Sequence, residues 1–212
     1  MKLEIQKKSA FDEIKKFSPI NQSQINKIED FVLLLLQENH NFNLVGKSTL
    51  PDLWQRHILD SAQILRYIDD ANKKIADIGS GAGFPGMVIS LLGCKEVHLV
   101  EKSFRKCEFL RKAKLLSPNR VFVHQAKLEE LAGQKFDIIT SRALASLDKL
   151  LQYCQIFLKE DGYGLFLKGK NLEAELAEAK KIFDFSYELF PSLTSSESNI
   201  IKVSKLSSKK QG

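Results

Sequence analysis

The chain has few of the residues that would point to a stapled, metal-bound or membrane-embedded protein. Its 212 residues contain three cysteines, at 94, 107 and 154, an odd and scattered set that suits neither a disulfide framework nor a zinc site. The four histidines, at 40, 57, 98 and 124, lack the spacing of metal ligands, so no metal is expected. The longest unbroken apolar run is Phe31 to Leu36, far short of a membrane span. The first residues lack the apolar stretch of a signal peptide, and with reduced cysteines this points to a cytoplasmic protein. No internal repeat is visible. At 43% hydrophobic and 27% charged residues, the chain has the balance of a folded globular protein with one ample core.

The charge is uneven. Residues 102–120 hold seven basic side chains, Lys102, Arg105, Lys106, Arg111, Lys112, Lys114 and Arg120, against the single acid Glu108. That stretch matches the +6 of the whole chain, so the rest is neutral on balance. Such a region can meet a polyanion, although a solvated helix face gives the same pattern. On a helical wheel the basic residues do not share one side.

Residues 1–70 read as a helical cap. Ile25, Ile28, Val32, Leu35, Leu36 and Asn39 follow the three-and-four spacing of an amphipathic helix. A second helix is expected from Pro51 to Ile68, capped by Ser48 or Thr49. Phe42 and Trp54 are expected to pack in the core. Residues 71–206 alternate short apolar runs with helical patterns. Strands are expected at 75–78, 97–101, 121–124, 136–140 and 164–168, with helices at 84–92, 103–116 and 145–158 between them and another at 171–182. That alternation predicts an α/β fold with a mostly parallel sheet. Two late strands, 185–190 and 199–205, are joined by a short Pro/Ser/Thr-rich loop and should form an antiparallel hairpin, which makes seven strands. Residues 207–212 read as a flexible tail.

The most informative segment is Ile75-Ala-Asp-Ile-Gly-Ser-Gly-Ala-Gly-Phe-Pro-Gly86. A strand ends, and Gly79, Gly81 and Gly83 make a turn that lets a ligand approach the backbone before a helix begins. Such turns sit at the carboxyl ends of sheet strands, where open α/β sheets bind ligands. A phosphate-binding P-loop needs Lys and then Ser or Thr after its last glycine, and here Met87 and Val88 follow. A dinucleotide fingerprint needs glycine where Phe84 stands. Glu101, 22 residues after Gly79 and at the end of the next strand, is a carboxylate able to accept both hydroxyls of a ribose. Together these features resemble the cofactor site of class I methyltransferases, Rossmann-like enzymes that use S-adenosylmethionine.

Whole phrases sharpen the resemblance. Asn43-Leu-Val, Arg56-His-Ile-Leu-Asp-Ser61, Asp77-Ile-Gly-Ser-Gly-Ala-Gly-Phe-Pro-Gly86, Ser141-Arg-Ala-Leu-Ala145 and Lys168-Gly169 occur in this order. Over nearly its full length the chain resembles the ribosomal RNA small-subunit methyltransferase G family, also called glucose-inhibited division protein B. Val45, where members often carry Thr, and Gln125-Ala-Lys, where many have Gly-Arg, depart from the pattern. The resemblance implies methylation of N7 of one guanosine in 16S rRNA near the decoding centre, S-adenosylmethionine as donor and S-adenosylhomocysteine as product. It carries cofactor contacts onto Gly79, Phe84, Leu128, Glu129 and Arg142, with Glu101 from the wider class. RNA contacts are expected at Arg142, Lys168, Lys170, Arg56 and His57. Arg142 is open to either the cofactor carboxylate or an RNA phosphate, and Arg56 and Asp60 to pairing with each other. The partner would be the small ribosomal subunit and the enzyme a monomer.

Guanine N7 carries no proton, so no general base is expected. The sequence agrees: Thr140-Ser-Arg-Ala stands where exocyclic-amine enzymes carry an Asn/Asp-Pro-Pro-aromatic motif, and Cys154 sits in a helical core pattern rather than a nucleophile loop. The motifs define the cofactor better than the substrate. A methyltransferase acting on a small molecule or protein remains the nearest alternative, and a non-enzymatic ribosome- or RNA-binding protein the next.

Overall fold

The computed structural model describes residues 2–131 and 133–209. Helix α1 (Lys2–Lys15) leads into α2 (Gln22–Asn39), which opens with a reciprocal capping box between Asn21 and Gln24. The amphipathic face read from the sequence is the buried one, with Ile28, Phe31, Val32 and Leu35 inside. Asn39 is buried on the same face, where its side-chain oxygen accepts the Val45 N–H at 2.9 Å.

The expected regular helix at 51–68 is instead a compound one. A 3-10 turn (Lys47–Asp52) contains Pro51 and is followed by a π turn (Trp54–Leu59), the short α3 (Asp60–Ala62) and a second 3-10 turn (Gln63–Tyr67). Neither Ser48 nor Thr49 caps it. Gly46 stands at the cap position without a side-chain bond, and Thr49 lies inside the first turn. Single π turns widen a helix locally and are frequent at functional sites. Here the widening falls on Arg56 and His57.

The seven-stranded sheet has the order β3-β2-β1-β4-β5-β7-β6. Strands β1 (Lys74–Ile78), β2 (Glu96–Glu101), β3 (Arg120–Gln125), β4 (Phe136–Arg142) and β5 (Leu158–Lys168) run parallel. The intervening helices are α4 (Gly86–Leu92), α5 (Phe104–Ala113), α6 (Leu147–Phe157) and α7 (Leu172–Ile182). Strands β6 (Phe183–Pro191) and β7 (Asn199–Ser208) form the expected hairpin, with β7 inserted antiparallel between β5 and β6. Every strand extends past its expected limits, most by one or two residues at an end and two of them further. β5 starts at Leu158 because its first residues, Lys159 to Asp161, are exposed and leave no apolar signal. β7 runs to Ser208, so Ser207 and Ser208 of the expected tail pair with Asp184 and Phe183, while 210–212 lie outside the described residues.

Alternate residues of each strand feed opposite faces. Ile75, Val97, Leu99 and Ile138 join the core shared with α1, α2, the compound helix and α4. Ala76, Ile78, Val100 and Ile139 join a second core beneath α6 and α7. Phe31 reaches from α2 to Phe84 (ring centroids 5.6 Å) and Phe109 (6.1 Å), so the N-terminal helices support the glycine turn. Truncating a fully buried phenylalanine of this kind costs ~3–5 kcal/mol. No helix of the described residues is long and apolar enough to cross a membrane.

Candidate active site

The glycine turn hangs from β2. Val100 O accepts the N–H groups of Gly79 (2.9 Å) and Ser80 (3.1 Å), and the Glu101 carboxylate accepts those of Gly81 (3.0 Å) and Ser103 (2.8 Å). Glu101 therefore positions the turn, and because each carboxylate oxygen has two acceptor sites it retains capacity for a ligand hydroxyl. The three glycines are not equivalent. A Cβ on Gly81 (φ +57°) would meet only Gly79 O, at an ordinary 3.9 Å, whereas a Cβ on Gly83 (φ +88°) would lie 2.7 Å from Met87. Gly81 lines the cavity described next, and Gly83 serves packing behind it. Asp77, the acid of the motif, is fully buried, and its Oδ2 accepts the Gly86 N–H (3.0 Å) at the start of α4. Its Oδ1 has no partner among the described residues. Burial pushes this carboxyl up to about 7.

A cavity of about 560 Å³ opens at the ends of β1, β2, β3 and β4. Gly79, Gly81, Phe84, Glu101, Leu128, Glu129 and Arg142 all line it; Gly83 does not. Leu128 and Glu129 lie in a 3-10 turn, whose first N–H groups have no intrahelical acceptor, and that of Leu128 is available to a ring nitrogen. Glu129 accepts the Tyr153 hydroxyl (3.0 Å), and a backbone hydrogen bond within Glu129 and that hydroxyl hold its carboxyl below the usual range. Tyr153, Lys102 and Lys106 complete the wall, none of them marked by a motif. Leu44, Val45, Gly46 and His57 close the side toward the N-terminal helices.

Arg142 stands between this cavity and a second one. Its guanidinium donates to Arg56 O (2.8 Å) and His57 Nδ1 (2.9 Å) and lies 3.4 Å from Asp60 Oδ2. It also sits over the Phe84 ring at 4.9 Å, and His57 stacks on the same ring at 5.0 Å. Arginine only donates, so His57 Nδ1 is the acceptor and Nε2 carries the proton, donated to Thr49 Oγ1 (2.8 Å). Thr49 in turn donates to Gly46 O (2.7 Å). Burial, then Arg142 and Arg56, lowers His57 to about 3, so the ring is neutral. The Arg56–Asp60 pairing left open by the sequence is replaced: the Asp60 carboxylate meets Arg142, Gln63 and Thr194.

The second cavity, about 790 Å³, meets the first at His57, Arg142 and Ala143 and also holds Arg56 and Lys168. Ala143 has φ +54°, a strained backbone for a residue with a Cβ. Lys168 is buried, and its ammonium bonds Ala145 O (2.8 Å) and Glu175 (2.5 Å). Glu175 also accepts the Leu147 N–H (2.7 Å). Lys168 thus fastens the strained loop while lining the second cavity. Lys170 is exposed beside a shallower cavity of about 430 Å³. Trp54 is buried as expected, but Phe42 is 37% exposed under the Arg105 guanidinium. Of the seven basic residues at 102–120, Arg111, Lys112 and Arg120 pair with Glu108, Glu38 and Glu96, which disperses the charge.

Comparison with known proteins decides the lineage. The family model described as rRNA small subunit methyltransferase G matches residues 24–201. The chain belongs to that family. It is 42% identical over 185 residues to the ribosomal RNA small subunit methyltransferase G of Gluconobacter oxydans, covering 87% of this chain and 95% of that one. It is 38% identical over 188 residues to the protein of the same name from Rhodospirillum rubrum, covering 89% and 94%. Among solved structures, a ribosomal protein L11 methylase from Lactobacillus delbrueckii subsp. bulgaricus superposes with a TM-score of 0.57 at 18% identity, over 69% of this chain and 76% of that one. A TehB-like SAM-dependent methyltransferase from Corynebacterium glutamicum gives 0.51 at 21% identity, over 69% and 87%. The family chain has the class I methyltransferase fold.

Proposed function

We propose that the protein is an S-adenosylmethionine-dependent rRNA methyltransferase that modifies N7 of one guanosine in 16S rRNA near the decoding centre. The observation that carries the reading is one cavity in which Gly81, Glu101 and the Leu128–Glu129 turn face a common space, joined at Arg142 to a second cavity. The residues present fit the cofactor: Glu101 for ribose hydroxyls, the Leu128 N–H for adenine and Gly81 for close backbone approach, with Arg142 placed between the two cavities and open to the cofactor carboxylate or an RNA phosphate. When bound, S-adenosylmethionine supplies an electrophilic methyl group on a cationic sulfur.

The rest of the chemistry falls to positioning. With the donor held there, N7 would take the methyl group through its lone pair, the sulfur would keep the electron pair of the broken bond, and the purine would carry the positive charge. No proton moves, so no base is needed, and orientation can supply up to ~7–11 kcal/mol of the gain. The site residues agree. His57 offers no free lone pair, because its Nδ1 is occupied by Arg142 and its Nε2 is protonated. A neutral His57 also adds no charge to a site that must accept a cation. N7 lies in the deep, narrow major groove of A-form RNA, so the target base must be unstacked in a loop. The assembled small subunit in the cytoplasm presents such a base to a monomeric enzyme.

Labelled methyl transfer to small subunits from a strain lacking the gene, followed by mass mapping of RNase fragments, tests this. A single 7-methylguanosine in the decoding-region loop is expected. Cofactor binding without label in the RNA would leave the fold and replace the substrate by a small molecule or a protein.

A further inference from the structure

The second cavity is rich in fixed polar groups that a cofactor seated in the first does not use. Asp60, Gln63 and Thr194 come from the compound helix and the β6–β7 loop and are tied to one another. Asp60 Oδ1 accepts from Gln63 Nε2 (2.9 Å) and Thr194 Oγ1 (2.7 Å), and Gln63 Oε1 accepts the Leu193 N–H (2.8 Å). Among the described residues Asp60 Oδ2 has only Arg142 Nη1 at 3.4 Å, long for a charge-assisted hydrogen bond. One oxygen of a rigidly held, largely buried carboxylate is thus left with acceptor capacity beside an open space.

We propose that this cavity holds the target base and that Asp60 reads guanine through its N1–H and exocyclic amine. The assignment rests on the proposed N7 methylation. N7 lies on the edge of the purine opposite N1 and the exocyclic amine. With N7 turned to the first cavity, those two groups point into the second, toward Asp60. Both are donors, and an ionised carboxylate is purely an acceptor. Adenine also has an N7, but its N1 is an acceptor and meets the carboxylate with no hydrogen to share. The same carboxylate favours the reaction, because the purine becomes cationic as N7 is methylated and its N1–H becomes a stronger donor. Asp60 is therefore both a specificity determinant and an electrostatic partner of the product.

The test compares small subunits carrying guanosine or inosine at the target position; inosine keeps N7 and N1–H but lacks the amine. Wild-type protein is expected to prefer guanosine in kcat/KM by roughly tenfold to a hundredfold, the worth of one hydrogen bond to a charged acceptor. In Asp60→Asn the preference collapses to less than about threefold, since the amide still accepts from Gln63 and Thr194 but turns a donor toward the base. Thr194→Val loosens the same anchor without changing the charge and lowers the preference only in part. Apart from turnover, protein saturated with S-adenosylhomocysteine binds 7-methylguanosine monophosphate roughly tenfold more weakly in Asp60→Asn than in wild type, measured by saturation-transfer NMR. An unchanged guanosine preference in Asp60→Asn, or its equal loss in Thr194→Val, overturns the assignment while leaving N7 methylation in place. Absence of 7-methylguanosine from wild-type reactions overturns the proposed function and this assignment with it.

Discussion

The two cavities share three residues but are built in opposite ways. Most of the first lies at the ends of successive strands: Gly79–Ala82 and Phe84 after β1, Glu101–Lys102 at the end of β2, Ala126–Glu129 after β3 and Arg142–Leu144 at the end of β4, with Leu44–Gly46, His57, Lys106 and Tyr153 closing its sides. Each of the strand-end segments is a short turn whose chemistry is local. The second draws on Thr49–Gln63, Arg142–Ala143, Leu167–Gly169 and Ser192–Ile200, segments brought together only by the complete fold. The first cavity can thus be found by motif, whereas the second exists only by assembly.

Substitutions that separate the cavities sharpen that contrast. The largest effect is expected from Gly81→Val, which places a branched side chain at φ +57° and in the mouth of the first cavity. Calorimetry should show cofactor affinity falling more than about a hundredfold, from left-handed strain of ~1–2 kcal/mol plus the lost approach. Arg142→Lys keeps the charge but loses the fork that joins His57, Arg56 and Asp60. Turnover on small subunits should drop about a hundredfold with cofactor affinity changed less than about tenfold; the reverse order would assign Arg142 to the cofactor.

A smaller effect lies outside both cavities. Between the ordinary carboxylate range and about 7, the folded chain holds a proton on Asp77 that the unfolded chain has released. Folding stability should therefore fall as pH rises through that window, by up to ~1.4 kcal/mol per unit, and level off above it. Denaturation of Asp77→Asn at pH 5 and pH 8 should lack this component. Smallest is Lys170→Glu, at an exposed position by the shallow cavity. It should weaken RNA binding severalfold and reduce the salt slope by about one, with cofactor binding untouched.

What could be read from the sequence follows the same division. Every parallel strand announced itself as a short apolar run between helical patterns, and the glycine turn with Glu101 located the first cavity. Apolar periodicity gave no warning of the π turn at Trp54–Leu59, which depends on packing around buried Trp54, His57 and Ile58. Nor did it reveal the solvated start of β5. Lys168 looked like a surface cation because its acid, Glu175, lies on a separate helix. Phe42 looked like core because its apolar character says nothing of the Arg105 guanidinium above it. Asp60 was legible as a helix carboxylate, but its partners Gln63 and Thr194 sit on opposite sides of the fold's last closure, 131 residues apart.

The hydrogen bonds that tie Asp60 and Gln63 to the β6–β7 loop also set an order of completion during synthesis. The lining of the first cavity ends at Tyr153, whereas that of the second ends at Ile200. A growing chain has made every segment that lines the first cavity before it has made the far wall of the second. The β6–β7 hairpin acts as a keystone, because the second cavity closes only when Ser192–Ile200 is in place.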